Sequence, residues 1–211
     1  MFIIPMAGKS SRFFKAGYKQ PKYMLPLGAN SCVFDEAIKS FEKYFDSDLF
    51  LFIARNSKEV KDFVKIQCEN LGIKKYEIIV LDEDTSGQAE TVFLGIDKSK
   101  FINLDDDVYI FNIDSIRVNF EKPSKDFIKN IGGYLEVFKG QGEHWSFALP
   151  KEGNFVSKTT EKIRISDLCS NGLYYFSSAK LFVETFYSLK GNNNYNEFFV
   201  APMYNIMIER K

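Results

Sequence analysis

The sequence has a single histidine, three cysteines and no long apolar run. One histidine leaves no evident nucleophile triad of the serine-hydrolase or cysteine-protease kind. Cys32, Cys68 and Cys169 are odd in number and widely spaced, which argues against a disulfide framework or a zinc site and indicates a reducing cytoplasm. No run reaches transmembrane length and the N-terminus leads directly into a motif, so we expect neither a membrane span nor a signal peptide.

Net charge is also absent, because 28 Lys and Arg balance 28 Asp and Glu. The chain therefore has no overall basic charge with which to hold nucleic acid or a membrane surface, and we expect neither partner. A length of 211 residues suits a single domain spanning 1–211 with a sizeable core. The abundant residues are 22 Phe and 11 Tyr, which supply core and stacking surface.

The most informative stretch covers residues 3–27. It begins as an apolar run typical of a buried strand and breaks into a turn of small residues at 7–11. Backbone N–H groups can approach an anion closely at such a turn. Arg12 and Lys22 follow, and both cations suit phosphate oxygens. The stretch indicates a nucleoside triphosphate site, whereas the alternative is a surface loop with solvated cations.

Two familiar phosphate loops do not fit this stretch. Gly8-Lys9-Ser10 resembles the end of a P-loop, but that motif requires glycine where Ile3 stands. A dinucleotide-binding GxGxxG also fails, because Lys9 and Ser10 follow Gly8 and the next glycine is Gly17.

Strands and helices alternate through the first part of the chain. Apolar runs predict strands from residue 3 and at 49–54, 76–81 and 108–112, and helical spacing predicts helices at 33–45, 57–71 and 88–96. This alternation predicts an α/β fold with a mostly parallel sheet. Ligands of such sheets bind beyond the carboxyl ends of the strands. The turn after Ile4, the turn before Gln88 and the side chain of Asp114 should share that edge.

The second part of the chain has a different pattern. Short strands are predicted at 132–138, 146–149, 155–156, 163–165 and 172–176, helices at 178–189 and 198–209, and a loop at 191–194. Short strands at hairpin-like spacing indicate an antiparallel extension that closes over the site.

The motifs together resemble the signature of nucleotidyltransferases that join a nucleoside triphosphate to a sugar-1-phosphate or a similar phosphate. Residues 7–12 read A-G-K-S-S-R and residues 21–27 read P-K-Y-M-L-P-L, against a family pattern of A-G-G-x-G-[ST]-R and P-K-x-x-[LM]-P-[LIV]. Lys9 and Ser10 depart from that pattern. The resemblance implies a Rossmann-like, GT-A-like three-layer fold, with a nucleotide-binding half at 1–130 and an acceptor-binding half at 131–211.

The resemblance also implies the chemistry. An acceptor phosphate attacks the α-phosphorus in line and needs no general base, so positioning, cations and Mg²⁺ should supply catalysis. Arg12 would brace the β- and γ-phosphates and Lys22 would lie near the α-phosphate. The nucleotide-binding set is predicted as Met6, Ala7, Gly8, Lys9, Ser10, Ser11, Ser86, Gly87, Gln88, Asn112 and Asp114.

Two of these residues have particular roles in the resemblance. Gln88 lies in a segment similar to the base-contacting G-x-A-x-[AT], and its amide can both donate to and accept from a base edge. Asp114 resembles the family's metal-binding aspartate. The alternatives are a helix cap at Thr85 or Ser86 and a strand-end Asp that caps a turn. The acidic run at 105–107 is interpreted as a solvated turn.

On the acceptor side, Glu161-Lys162 and the segment 171–176 resemble the family's E-K pair and its N-x-G-[IL]-Y-x-F strand. Lys162 is implied to hold the acceptor phosphate, with Glu161, Asn171 and Gly172 lining the pocket. Trp145 is a further acceptor-binding candidate, suited to covering a quaternary ammonium, although packing in the core or a lid is the favoured interpretation.

The family's second metal aspartate, in a D-x-G-T-P-like segment, is absent. Glu197 is the substitute candidate for the metal, and a helix-capping carboxylate is the alternative.

The expected function is a cytoplasmic nucleotidyltransferase that couples CTP to a small phosphorylated acceptor for surface polysaccharide synthesis. The nearest resemblance is to small capsule-biosynthesis cytidylyltransferases that activate phosphocholine, phosphoglutamine or similar phosphates. The alternatives are a sugar-1-phosphate uridylyl- or thymidylyltransferase and a non-catalytic regulatory subunit of the same fold. A homodimer is a further possibility under this hypothesis.

Overall fold

The computed structural model describes residues 1–192 and 197–210 and contains one eight-stranded sheet. The strands are β1 Phe2–Met6, β2 Phe50–Arg55, β3 Tyr76–Leu81, β4 Val108–Phe111, β5 Gly133–Lys139, β6 Ser146–Pro150, β7 Val156–Glu161 and β8 Leu168–Phe176. The helices are α1 Ser11–Lys15, α2 Val33–Lys39, α3 Val60–Leu71, α4 Gln88–Lys98, α5 Lys125–Ile128, α6 Ala179–Lys190 and α7 Met203–Glu209. Residues 193 and 194 of the predicted loop lie outside the described residues.

The first four strands run parallel in the order β3-β2-β1-β4. β1, β2 and β4 are apolar almost throughout and nearly all their residues are buried, as strands covered on both faces must be. Helices connect them, so that their carboxyl ends meet at one edge of the sheet.

Two hydrophobic cores lie on opposite faces of this sheet. Along β1, the side chains of Phe2 and Ile4 belong to one core with residues of α2 and α3. Ile3 points the other way and packs in the second core with residues of α4, α6 and α7. Alternate residues of a strand face opposite sides, so helices cover both faces and the fold has three layers. The predicted α/β fold is thereby confirmed.

β8 connects the parallel strands to the antiparallel extension. One edge of β8 pairs with β4 near its end, through Phe111↔Leu173, and with β6 near its start, through Phe147↔Cys169. The opposite edge pairs with β5, and β6 pairs in turn with β7. Strands from both parts of the chain therefore form one continuous sheet.

Three sequence predictions differ from the structure. No strand forms at 163–165; β7 is Val156–Glu161 instead, and the sequence pattern missed most of it because its middle residues are polar. The helix expected at 33–45 ends at Lys39, and a short 3₁₀ turn, Glu42–Tyr44, follows. The last helix begins at Met203 and not at 198, with Pro202 at its start. No helix in the described ranges is long and apolar enough to cross a bilayer.

Candidate active site

The carboxyl ends of β1 and β4 open into a cleft of about 540 Å³. Thirteen of the residues predicted from the sequence line it: Met6, Ala7, Gly8, Lys9, Arg12, Lys22, Gly87, Gln88, Asn112, Asp114, Glu161, Lys162 and Glu197. Residues predicted to bind the nucleotide and residues predicted to bind the acceptor thus share one cavity.

The loop after β1 bends sharply at Ser10, whose backbone is left-handed with φ 51°. The Ser10 hydroxyl oxygen accepts a hydrogen bond from the Lys22 backbone N–H at 3.1 Å. This bond joins the turn of small residues to the segment 21–27, which resembles the second part of the family signature. Ser10 therefore shapes the loop, although it does not line the cleft. Ser11 begins α1, which has no buried residue, and Arg12 of that helix reaches the cleft.

Lys22 and Asp114 form an ion pair within the cleft, with 2.6 Å between Lys22 Nζ and Asp114 Oδ2. The Lys22 side chain is 27% exposed and that of Asp114 is 48% exposed, so both remain accessible to a ligand. Ile113 is buried just after β4 and holds this turn against the sheet. The arrangement places a cation and a hard carboxylate side by side at the strand ends.

The side chain of Gln88, at the start of α4, is oriented by Asn112, which directly follows β4. Its Nε2–H donates to Oδ1 of Asn112. Gly172 makes room for Asn112, because a Cβ at that position would come within 2.5 Å of Asn112 Nδ2. Neither Gly172 nor Asn171 lines the cleft, and Asn171 Nδ2 donates to Glu136 Oε2 at 2.8 Å.

The start of α4 is held by the segment at residue 198. Phe198 N–H donates to Ser86 O at 2.7 Å, and Ala89 N–H donates to Phe198 O at 2.8 Å. Gly87, with φ 135°, lies so close that a Cβ would meet Phe198 O at 2.5 Å. This packing brings the neighbouring Glu197 to the cleft wall, while Ser86 itself does not line the cleft.

Glu161 is a largely buried carboxylate at the end of the cleft where Lys162 and Phe199 lie. Desolvation raises its pKa, and a hydrogen bond from the Ser146 hydroxyl and the nearby Lys162 oppose that rise. The Ser146 and Tyr174 hydroxyl oxygens lie 3.2 Å apart, which continues the network inward. Lys162 Nζ lies 4.0 Å from Glu161 Oε1 and 4.4 Å from the centre of the Phe199 ring.

A second cavity of about 410 Å³ adjoins this end of the cleft. It shares four residues with the larger one: Glu161, Lys162, Glu197 and Phe199. This end of the cleft therefore continues into further open space beyond Lys162.

Trp145 lies outside the cleft. Its Nε1–H donates to Gln141 O at 3.0 Å, and its ring packs edge-on against Phe138 at 5.1 Å between centroids. The adjacent His144 and Ser146 line the cleft instead.

Within residues 1–192 and 197–210, no three His, Cys, Asp or Glu side chains converge as a metal site. Asp114 and Glu197 both line the cleft, and Asp114 offers carboxylate oxygens to it. Mg²⁺ is commonly held by one or two carboxylates together with substrate phosphates. The residues present therefore fit a Mg²⁺ ion that arrives with a triphosphate.

Several cleft residues carried no clear sequence signal. Asp84 and Thr85 directly precede the Gln88 segment, so the segment could have been extended to include them. Phe199 enters the cleft through chain packing that no local motif reveals, whereas Tyr174 belongs to the 171–176 segment that resembles the family's strand and could have been included. The lining residues that are not among the predicted site residues are Pro5, Tyr23, Asp84, Thr85, Thr91, Ile113, His144, Ser146, Tyr174 and Phe199.

The chain matches several solved structures. It is 43% identical to the nucleoside-diphosphate-sugar pyrophosphorylase from Vibrio cholerae RC9, with a TM-score of 0.93, covering 100% of this chain and 88% of that one. A scan of protein-family models and a search of curated proteins gave no match. The chain belongs to the family of the nucleoside-diphosphate-sugar pyrophosphorylases, which are nucleotidyltransferases.

More distant structures share the fold. A UDP-glucose pyrophosphorylase complexed with UDP-glucose is 14% identical, with a TM-score of 0.74 over 100% of this chain and 87% of that one. The inositol-1-phosphate CTP transferase from T. maritima is 16% identical, with a TM-score of 0.73 over 100% and 81%. At these identities the likeness concerns the fold alone.

Proposed function

We propose that this chain transfers a cytidylyl group from CTP to a small phosphorylated acceptor and releases pyrophosphate. The observation that carries the proposal is the meeting of four cations in one cleft. Lys9, Arg12 and Lys22 come from the segment after β1, and Lys162 directly follows β7. Two phosphate-bearing substrates need cations at both ends of a shared site.

The transfer needs little from the protein except charge and position. An oxygen of the acceptor phosphate forms a bond to the α-phosphorus, and the bond from the α-phosphorus to the bridging oxygen breaks and expels pyrophosphate. In this proposal Arg12 and Lys22 neutralise the charge of the triphosphate, and Lys162 holds the acceptor phosphate. Mg²⁺ bound beside Asp114 would neutralise further charge on the phosphoryl oxygens.

The orientation of Gln88 fits a base that offers a hydrogen-bond donor, as cytosine does. Since Gln88 Nε2 donates to Asn112, its Oε1 is left to accept a hydrogen bond from a base edge. The 4-amino group of cytosine is such a donor. We also propose that the activated product serves surface polysaccharide synthesis in the cytoplasm.

The second candidate is a sugar-1-phosphate uridylyl- or thymidylyltransferase. It is favoured by the similarity to the Vibrio cholerae relative, a nucleoside-diphosphate-sugar pyrophosphorylase. The third candidate is a non-catalytic subunit. Against it stand the four cations and Asp114, which a protein without catalytic activity has no need to keep.

One assay separates these candidates. The protein is incubated with Mg²⁺, one of CTP, UTP, dTTP, ATP or GTP, and one of phosphocholine, ethanolamine phosphate or glucose-1-phosphate, and pyrophosphate is measured. We expect the fastest release with CTP. Release with UTP or dTTP and only glucose-1-phosphate would establish the second candidate. Nucleotide-induced thermal stabilisation without pyrophosphate from any pair would point to the third.

A further inference from the structure

Three charged residues form a strap across the carboxyl ends of three neighbouring strands. Lys9 lies in the loop after β1, Arg55 is the last residue of β2, and Asp84 lies just beyond β3. Lys9 Nζ is 2.7 Å from Asp84 Oδ2, and Arg55 Nε is 3.1 Å from Asp84 Oδ1. Asp84 thus uses both carboxylate oxygens, one for each cation.

Two of the three residues face the nucleotide side of the cleft. Lys9 and Asp84 line it, whereas Arg55 does not. Among the described residues, the Lys9–Asp84 pair is the polar contact that joins the loop at 7–10 to the loop at 82–87. The first loop otherwise has open space around Gly8 and leads into α1, which buries no residue.

Lys9, Asp84 and Arg55 are all substantially exposed, with 59%, 42% and 48% of their side chains accessible. Exposed ion pairs contribute little to folding stability, so stability alone does not account for the arrangement.

We propose that Asp84 is a positioning residue that holds Lys9 at the cleft wall as a ligand for the triphosphate. Arg55 braces Asp84 from outside the cleft, so the carboxylate keeps its orientation when Lys9 also contacts phosphate oxygens. The long Lys9 side chain then loses its conformational entropy before the nucleotide binds, so binding does not have to supply that free energy. The hydrogen bond from Lys9 also lowers the pKa of Asp84, so the carboxylate stays charged. This inference rests on the proposed nucleoside triphosphate site.

The test is a double-mutant cycle on the active enzyme. Asp84→Asn should raise KM for the nucleotide about fivefold and change kcat less than about twofold, as expected when one positioned ion pair is lost from binding. In a Lys9→Ala background Asp84→Asn should have no further effect, because Asp84 acts through Lys9. Asp84→Glu should restore most of the affinity. The control Glu121→Gln, which removes the exposed Lys43–Glu121 pair outside the cleft, should leave KM unchanged.

Ionic strength supplies a second readout. The wild-type KM should rise with salt and approach that of Asp84→Asn, since exposed ion pairs are screened. An unchanged or lowered KM in Asp84→Asn would overturn the inference, because Asp84 would then be neutral or merely repel the nucleotide. Additive effects of the two substitutions would overturn it too. If the wild-type protein neither binds nor turns over any nucleotide, the proposed function fails instead.

Discussion

The ammonium of Lys22 lies 2.6 Å from Oδ2 of Asp114, although 92 positions separate the two residues in the chain. β1 and β4 are neighbours in the sheet, so the segments that follow them meet at its carboxyl edge. A cation and a carboxylate thus stabilise each other at the point where we propose that the α-phosphate binds. This pair is the basis of the first two predictions.

Replacing Lys22 with Ala should lower kcat/KM for pyrophosphate release by about 10² or more, as the loss of a preorganised charge-stabilising group does. The free energy of unfolding should change by less than about 1 kcal/mol, because the lost ion pair is partly exposed. Steady-state kinetics and urea unfolding measure the two effects. Lys39→Ala, which removes a lysine paired with Glu36 on α2, is the matched control and should leave both unchanged. Unimpaired turnover in Lys22→Ala would count against the assignment.

Asp114→Asn keeps the side-chain shape and removes one negative charge. We expect turnover to fall by roughly 10²–10³ while nucleotide affinity changes less, because charge grows on the phosphoryl oxygens during transfer. Asp106→Asn provides the comparison, since Asp106 is exposed in the turn before β4 and outside the cleft. Loss of activity in Asp106→Asn with normal activity in Asp114→Asn would show that the site has been placed wrongly.

Gly87→Ala should destabilise the fold by about 2–4 kcal/mol and reduce turnover, since the new methyl group would meet the Phe198 backbone and the backbone conformation at φ 135° excludes other residues. Gly153→Ala is the matched control: φ is 66° there, but nothing lies within 4 Å, so the cost should be only about 1 kcal/mol. Urea unfolding of both variants measures the difference. Equal costs would contradict the close packing of residues 87 and 198.

Glu161→Gln should be more stable than the wild type at neutral pH. Desolvation raises the pKa of Glu161 in the folded state, so the charged form destabilises the fold above that pKa. As the pH falls through the folded pKa, the wild type takes up a proton and gains stability, and the gain is complete below the unfolded value of about 4.3. The difference in free energy of unfolding between variant and wild type should therefore shrink between pH 7 and about 4. A difference that is constant or grows would disprove this.

The parallel part of the fold could be predicted from local pattern alone. β4 is a continuous apolar run, β2 is apolar except for Arg55 and β3 is apolar except for Glu77. α3 and α4 have apolar residues at helical spacing, so each of these elements can be predicted from a short stretch of sequence. β7 could not be predicted in full, because Ser157, Lys158 and Thr160 give it a polar surface on the edge of the sheet. Its place depends on pairing with β6.

The site residues divide in the same way: their identities could be predicted from local motifs, but the contacts that orient them could not. Arg12, Lys22, Asp114 and Lys162 stand in motifs and were found in one cleft. The contacts that orient them join residues far apart in the chain, such as Gln88 with Asn112 or residue 87 with 198, and depend on chain packing. Asp84 was missed for this reason: its two partners come from different strand ends.

The position of β8 between β4 and β5 has a consequence for synthesis of the chain. About 60 residues separate the end of β4 at Phe111 from the start of β8 at Leu168, so translation at 5–20 residues per second leaves one edge of β4 unpaired for roughly 3–12 s. An open edge on an apolar strand is a template for pairing with another chain. Nascent chains released before residue 168 should therefore aggregate, whereas addition of β8 covers the edge and brings Tyr174 to the wall of the cleft.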